Sequence, residues 1–471
     1  MRAPLKIFLA LIFLVTFSSA QTPIVIIGGT LIDGLGPVVE NSAIVIQGTN
    51  IIASGPRNLV RIPLEATIID ATGKYIIPGL IDCHVHYEKP RDLVQMLAWG
   101  VTSVNCMFES TDQALAMEKM TANDTVHSPQ IYATAPIFSC KGGWWEGDGF
   151  PIDSSINRFP ETPDQARAAV RKAKEKGIKR IKLMYDDMSW CRDPLPRLAK
   201  VTRDVAAALL EESNEQKLFL EIHVPQMKDA SEILEAEEFE MKKLRQDGDV
   251  VDYQRPLVAF AHGILDDSFI AADVMTRLKP IYISTFCVFE FLADTRTFMR
   301  NALSDKRFSS ALPNDIISTY TSEEYYDRYS KRYPNIGFVK NHLATLRSNL
   351  ITLNQLYNLT TPLGTDMWAF PGIGVHLELE YMVKAGLKPM YAIGAATLEG
   401  AAFLRATRNI NTLIHAGHWE NIEYGPQVAD LLVLDANPLD DIRNTRSVRT
   451  IIKHGKVFDH QQLIEESKKM N

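Results

Sequence analysis

Apolar and polar positions alternate in blocks along most of this chain. Eight apolar runs recur: Ile76–His86, Thr102–Phe108, Gln130–Phe138, Ile178–Tyr185, Lys217–Val224, Leu257–His262, Ile281–Cys287 and Thr361–Asp366. Stretches with helical spacing lie between most of them. One is sharply bounded. Thr162-Pro163-Asp164-Gln165 reads as a capping box with proline at the first helical position, and Gly177 closes the helix. Strands alternating with helices imply parallel βα units in an α/β protein. Eight such units over about 300 residues predict a (β/α)8 TIM barrel, here spanning residues 76–405. A doubly wound open sheet is the alternative, but no G-x-G-x-x-G follows a strand.

The flanks carry a different pattern. Residues 21–75 and 406–465 hold short strands and turns, as in "SAIVIQGTNIIASG" and "ADLLVLDANPL". Each flank is too small to bury a core alone. Together they predict one small β-sandwich domain built from both chain ends. Residues 288–350 are polar, rich in Tyr and Arg, and helical in pattern. An insertion after the seventh strand sits at the face where barrel active sites form. It reads as a lid or substrate wall, or as a plain structural insertion.

Residues 1–20 read as an address. Arg2 and Lys6 precede the apolar run Ile7–Val15, and Ser18-Ser19-Ala20 offers a cleavage site before Gln21. This is the pattern of a signal peptide. The run is short of the ~20 residues that span a bilayer, so cleavage is favoured over anchoring. The expectation is an exported protein, periplasmic or extracellular, with no stable membrane anchor. The net charge of −7 with interspersed signs argues against a nucleic-acid partner. The five cysteines show neither a disulfide framework nor zinc-ribbon spacing. A Cys140–Cys191 bridge stays open, as does a homo-oligomer. Asn123 and Asn358 begin glycosylation sequons.

The chemistry lies at the strand ends. On a strand, His84 and His86 share one face, and two imidazoles aimed at one point can grip a divalent metal. His223, His262 and Asp366 close later strands, and Lys182 lies within another. Ile181 and Leu183 have the parity of the helix-facing side, so Lys182 should face inward, where an unpaired ammonium is costly. Taken singly, each residue has a structural reading. A barrel brings all six to one rim, which points to a metal site. Tyr185, at the end of its strand, could turn toward an oxyanion. Trp144 and Trp145, in the loop after the third strand, could bind a flat or aromatic ligand or pack that loop onto the insertion.

This set resembles the amidohydrolase superfamily. "IIPGLIDCHVH", "AHG", "LGTD" and the tail from "HLELEYMVKAGLKPMYAIGAATLEGAAFL" to "IIKHGKV" are similar to its strand and closing motifs. The lysine of "IKLMYD" resembles that of the subgroup holding imidazolonepropionase-like proteins and Xaa-Pro dipeptidases, where it is carboxylated by CO2. The resemblance implies two divalent metal ions, zinc foremost. His84, His86, Asp366 and the Lys182 carbamate would hold one. His223 and His262 would hold the second. Asp366 would act as the base. Where the dipeptidase-like relatives carry histidine after paired glycines, this chain has Trp144, so the substrate-carboxylate contact is open; Lys141 is one candidate. Three classes follow: a binuclear hydrolase of amide bonds in small molecules or short peptides, a mononuclear deaminase or cyclic-amide hydrolase, and a non-catalytic scaffold.

Overall fold

The computed structural model describes residues 22–34, 36–108, 110–122, 126–144, 156–246, 258–266, 278–405 and 427–470. Residues 1–21, Trp145 and residues 406–426 lie outside the described residues.

The eight apolar runs form a closed parallel ring. Its strands are β1 (Leu80–Val85), β2 (Val101–Met107), β3 (Gln130–Thr134, continued by Ile137–Phe138), β4 (Arg180–Met184), β5 (Phe219–His223), β6 (Val258–Ala261) and β7 (Ile281–Ile283), with β8 at residues 361–365. Parallel ladders join β1 to β2 and β2 to β3, then β3 through β7 in order. The eighth strand closes the ring through backbone hydrogen bonds to β7 and β1. Ser284 bridges Leu363, and Cys83 N–H donates to Leu363 O at 2.8 Å. The fold is therefore the TIM barrel.

Side-chain parity builds the interior. On β4, Ile181 and Leu183 face the surrounding helices with the main core, and Lys182 points inward. The lower interior is apolar: Ile81, Cys83, Tyr132, Phe219, Ile281, Ile283 and Phe403 form one buried cluster. Phe403 plugs it from the helix Gly400–Arg405, and the Arg180 guanidinium stacks on its ring at 4.2 Å. Between Asp82 and Val85 the β1–β2 pairing shifts register. Cys83 therefore joins the inner cluster beside Ile81. All five cysteines are free, so the Cys140–Cys191 bridge is not formed.

Both flanks contribute to the same two sheets. In one, Gln427–Val428 pairs with Asn50–Pro56, followed by Ser42–Gln47, Ile24–Ile27 and Thr67–Asp70. In the other, Leu431–Leu434 lies between Val448–Lys453 and Tyr75–Pro78. Ile26, Ile44, Ile46, Ile76, Leu431, Val433 and Ile452 fill the space between them.

The helix Pro163–Glu175 starts as its sequence dictates. Thr162 Oγ1 accepts from Gln165 N–H at 3.3 Å, and Gly177 follows at φ 93°. The reciprocal half of the box is shifted by one residue: Gln165 Oε1 accepts from Glu161 N–H at 2.8 Å. The insertion is helical from Phe286 to Ile351 in six pieces. It leans on the barrel mouth. Asn335 donates to the carbonyls of Cys191 and Trp190, and Asn349 to those of Ile264 and Asp266.

Candidate metal centre

Three side chains converge most tightly. Ligand atoms of His84, His262 and Asp366 all lie within 4.8 Å of one another. Asp366 Oδ1 is 3.7 Å from His84 Nε2 and 3.5 Å from His86 Nε2, and its Oδ2 is 3.6 Å from His262 Nδ1. These gaps exceed hydrogen-bond length. The imidazole nitrogens face the carboxylate with room between them, which is what a coordinated cation needs. Nitrogen and carboxylate donors suit a divalent transition metal, so the residues fit the group.

Local backbone geometry supports the convergence. His262 and Asp366 hold φ of 73° and 52°, in the left-handed region. Strain of this kind collects at functional sites. Gly364 lets β8 approach β1: a Cβ there would lie 2.6 Å from Ile283 Cγ2 and 2.8 Å from His84 Cβ. The "LGTD" motif therefore needs its glycine to bring Asp366 beside His84. Asp366 N–H donates to His84 O at 2.8 Å. Asp82 ties the same strands, accepting from Thr365 Oγ1 at 2.6 Å and from His84 N–H at 3.1 Å.

Burial sets the protonation. It holds His84 and His262 far below the ordinary histidine range, and the positive charge of Lys182 adds to the effect at both. His86 is pushed down to about 4 by burial and then by Lys182. The rings are neutral at pH 7 and keep a lone pair for a metal. Burial raises Asp366 to about 7, against the pull of Lys182. Burial also lowers Lys182, although Glu221 opposes this.

The remaining sequence candidates are placed as follows. His223 sits beside the cluster, its ring 4.5 Å from that of His262. Its Nε2 meets Asp186 Oδ2 at 3.1 Å. Lys182 points inward, with Nζ donating to Glu221 Oε1 at 3.0 Å. Tyr185 corrects the sequence reading. Its hydroxyl donates to Glu232 Oε2 at 2.5 Å, and Lys200 lies over its ring at 4.4 Å. It shares the parity of Ile181 and Leu183, so it packs among the outer helices and not against an oxyanion. Lys141 is also corrected: it is exposed and paired with Glu161 at 2.7 Å, a solvent-screened bridge outside the cluster. Trp144 packs on Met107, Ile137 and Met184 at the ends of β2, β3 and β4. Its ring meets Tyr333 at 6.1 Å and Arg332 at 5.0 Å. Trp144 thus packs against the insertion.

Sequence reasoning missed Glu221, Asn105 and Asp186. Each lies at inward parity or just past a strand end in an apolar context. A polar residue buried inside an apolar strand is the signal that marks them.

A protein-family model described as the amidohydrolase family matches residues 75–458. Barrel, histidine–carboxylate cluster and family match agree: the chain belongs to the amidohydrolase family and is a hydrolase by class. It is similar to the dihydroorotase of Trichlorobacter lovleyi, 38% identical over 84 residues, 16% of this chain and 18% of that protein. It is also similar to the imidazolonepropionase of Chloroflexus aggregans, 41% identical over 59 residues, 12% of this chain and 14% of that protein. The chain thus matches less than a fifth of the length of these curated relatives. Among solved structures, a Xaa-Pro dipeptidase with methionine bound in its active site superposes with a TM-score of 0.70 at 19% identity, covering 93% of this chain and 100% of that one. That likeness concerns the fold.

Proposed function

We propose that this protein is a binuclear metal-dependent hydrolase of amide C–N bonds, of the dipeptidase, carboxypeptidase or N-acyl amino acid hydrolase kind. The observation that carries it is the convergence of His84, His86 and His262 on Asp366, with His223 and the buried Lys182 alongside. His84, His86 and Asp366 would hold one ion, and His223 and His262 the other, most naturally zinc. Lys182 would link them as a carbamate. Its neutral nitrogen adds to CO2: an N–C bond forms, one C=O pair moves onto oxygen, and the proton leaving the nitrogen passes to solvent water. The burial that favours the neutral amine suits that step. When bound, the ions would polarise the scissile carbonyl and make water nucleophilic at neutral pH.

The chain's own residues do the rest. Asp366 accepts the proton of the attacking water and passes it to the leaving nitrogen as the C–O bond forms and the C–N bond breaks. Trp144 and the insertion wall the mouth over Met107, Ile137 and Met184, which favours an apolar or aromatic side chain on a small-molecule or short-peptide substrate. Export through residues 1–20 would place this hydrolysis in the periplasm or outside the cell.

One observation favours a second reading. Lys182 already has a carboxylate partner in Glu221 at 3.0 Å, a pair that needs no CO2. An unmodified lysine goes with one metal and with deaminase or cyclic-amide chemistry. Metal analysis of zinc-loaded protein, with a screen of dipeptides, N-acyl amino acids, cyclic amides and aminated heterocycles, separates the two. Two ions per chain and cleavage of an acyclic amide support the first reading. One ion with ammonia release, and no dipeptide or acyl amino acid cleaved, refutes it.

A further inference from the structure

One carboxylate at the centre is left unused by this chemistry. Glu221 is fully buried on β5, two residues before His223. Its Oε1 accepts Nζ–H of Lys182 at 3.0 Å and faces His84 Nδ1 at 2.8 Å. Its Oε2 accepts from Asn105 Nδ2–H at 2.8 Å. Asn105 is held in turn. Its Oδ1 accepts from Thr134 Oγ1 at 2.8 Å, and its Nδ2 also reaches Cys83 O at 3.0 Å. The network therefore ties β1, β2, β3, β4 and β5 together directly beneath the imidazole cluster.

The contacts have a direction. Both Glu221 oxygens accept, one from Lys182 and one from Asn105, so the side chain meets His84 as an acceptor. The His84 nitrogen that faces Glu221 must therefore be the N–H, and the lone pair falls on Nε2. That is the nitrogen facing Asp366 Oδ1 at 3.7 Å. Glu221 thus selects the tautomer of His84 and fixes its ring plane. At Lys182 the same oxygen fixes the end of a long flexible side chain. A carbamate nitrogen still carries one N–H, so the contact serves the lysine as an amine or as a carbamate. A plain structural ion pair would need only Lys182; the shared oxygen on His84 links Glu221 to the ligand set.

We propose that Glu221 is a positioning residue of the metal centre, which sets metal affinity by presenting His84 Nε2 and the Lys182 nitrogen in one orientation. The inference rests on the metal-dependent reading above. Partners that orient metal-bound histidines typically change metal affinity 10–100-fold when removed.

The test uses full-length Glu221→Gln, Glu221→Ala and Asn105→Ala, stripped of metal. Melting of the apoproteins reports the fold. Zinc affinity is read by competition with a chromophoric chelator. Glutamine keeps the shape and an acceptor oxygen but loses the charge. It should melt within a few degrees of wild type and bind zinc about 10–100-fold more weakly. Alanine should bind more weakly still, and Asn105→Ala, which frees Oε2, should lose less than either. Zinc bound by a folded Glu221→Gln protein with wild-type affinity overturns the proposal. Should that variant not fold, wild-type affinity in folded Asn105→Ala overturns it. If wild-type protein itself binds no divalent ion, the metal reading fails instead.

Discussion

Replacing Asp366 with asparagine separates proton transfer from scaffold. The residue sits at φ 52°, in the left-handed region that asparagine and aspartate both tolerate through local hydrogen bonding. Its N–H bond to His84 O involves the backbone alone. The two side chains have nearly the same volume, so strand, turn and packing should survive. The chemistry should not. An amide cannot take a proton, and its NH2 would point at imidazole nitrogens 3.5–3.7 Å away. Loss of a general base typically costs 10²–10⁴ in rate, or about 2.7–5.4 kcal/mol at 1.36 kcal/mol per decade. The assay is kcat at saturating substrate on the best wild-type substrate, with metal content and circular dichroism on the same sample. The variant should fold, keep at least one metal ion and fall in kcat by that factor. A kcat within about threefold of wild type, with metal retained, refutes Asp366 as the base.

Three further outcomes are expected. Lys182→Ala should lose metal and activity, and short carboxylates added with zinc should restore part of both; full activity without such rescue would show that the lysine holds no metal. Tyr185→Phe should leave kcat within about twofold of wild type, because the hydroxyl is engaged by Glu232; a loss of 100-fold or more would return it to the active site. Burial, and then the charge of Arg446, push His376 down to about 3, against about 6.5 in an unfolded chain. Between those values the unfolded state binds a proton that the folded state does not, so stability falls as the pH drops from about 6.5 toward 3. His376→Gln should melt with a shallower decline in Tm across that range, and a slope equal to wild type would remove His376 as a cause.

The strand ends show how a local pattern becomes a site. His84 and His86, His262, and Asp366 were readable because each is a polar residue closing an apolar run. Parallel strands in a barrel point the same way, so their ends share one rim. Lys182 was readable from parity against Ile181 and Leu183. Tyr185 had the opposite parity, and that outweighed its place at a strand end. Trp144 could be placed at the mouth from its loop, but not its neighbours, because Arg332 and Tyr333 lie far along the chain in the insertion.

Sequence alone determined the eight βα units, the flanking strands and the ring of candidate ligands. Each of these rests on a period of two or 3.6 residues, or on residue type at a strand end, which neighbouring residues carry. Only the tertiary structure decided what those residues face. The register shift between Asp82 and Val85 moves Cys83 inward. Glu221, Asn105 and Asp186 become site residues through partners on other strands, Asn105 and Glu221 being 116 residues apart. A buried carboxylate is stable only where several donors surround it. Closure of the barrel, not the order of residues along the chain, brings those donors together.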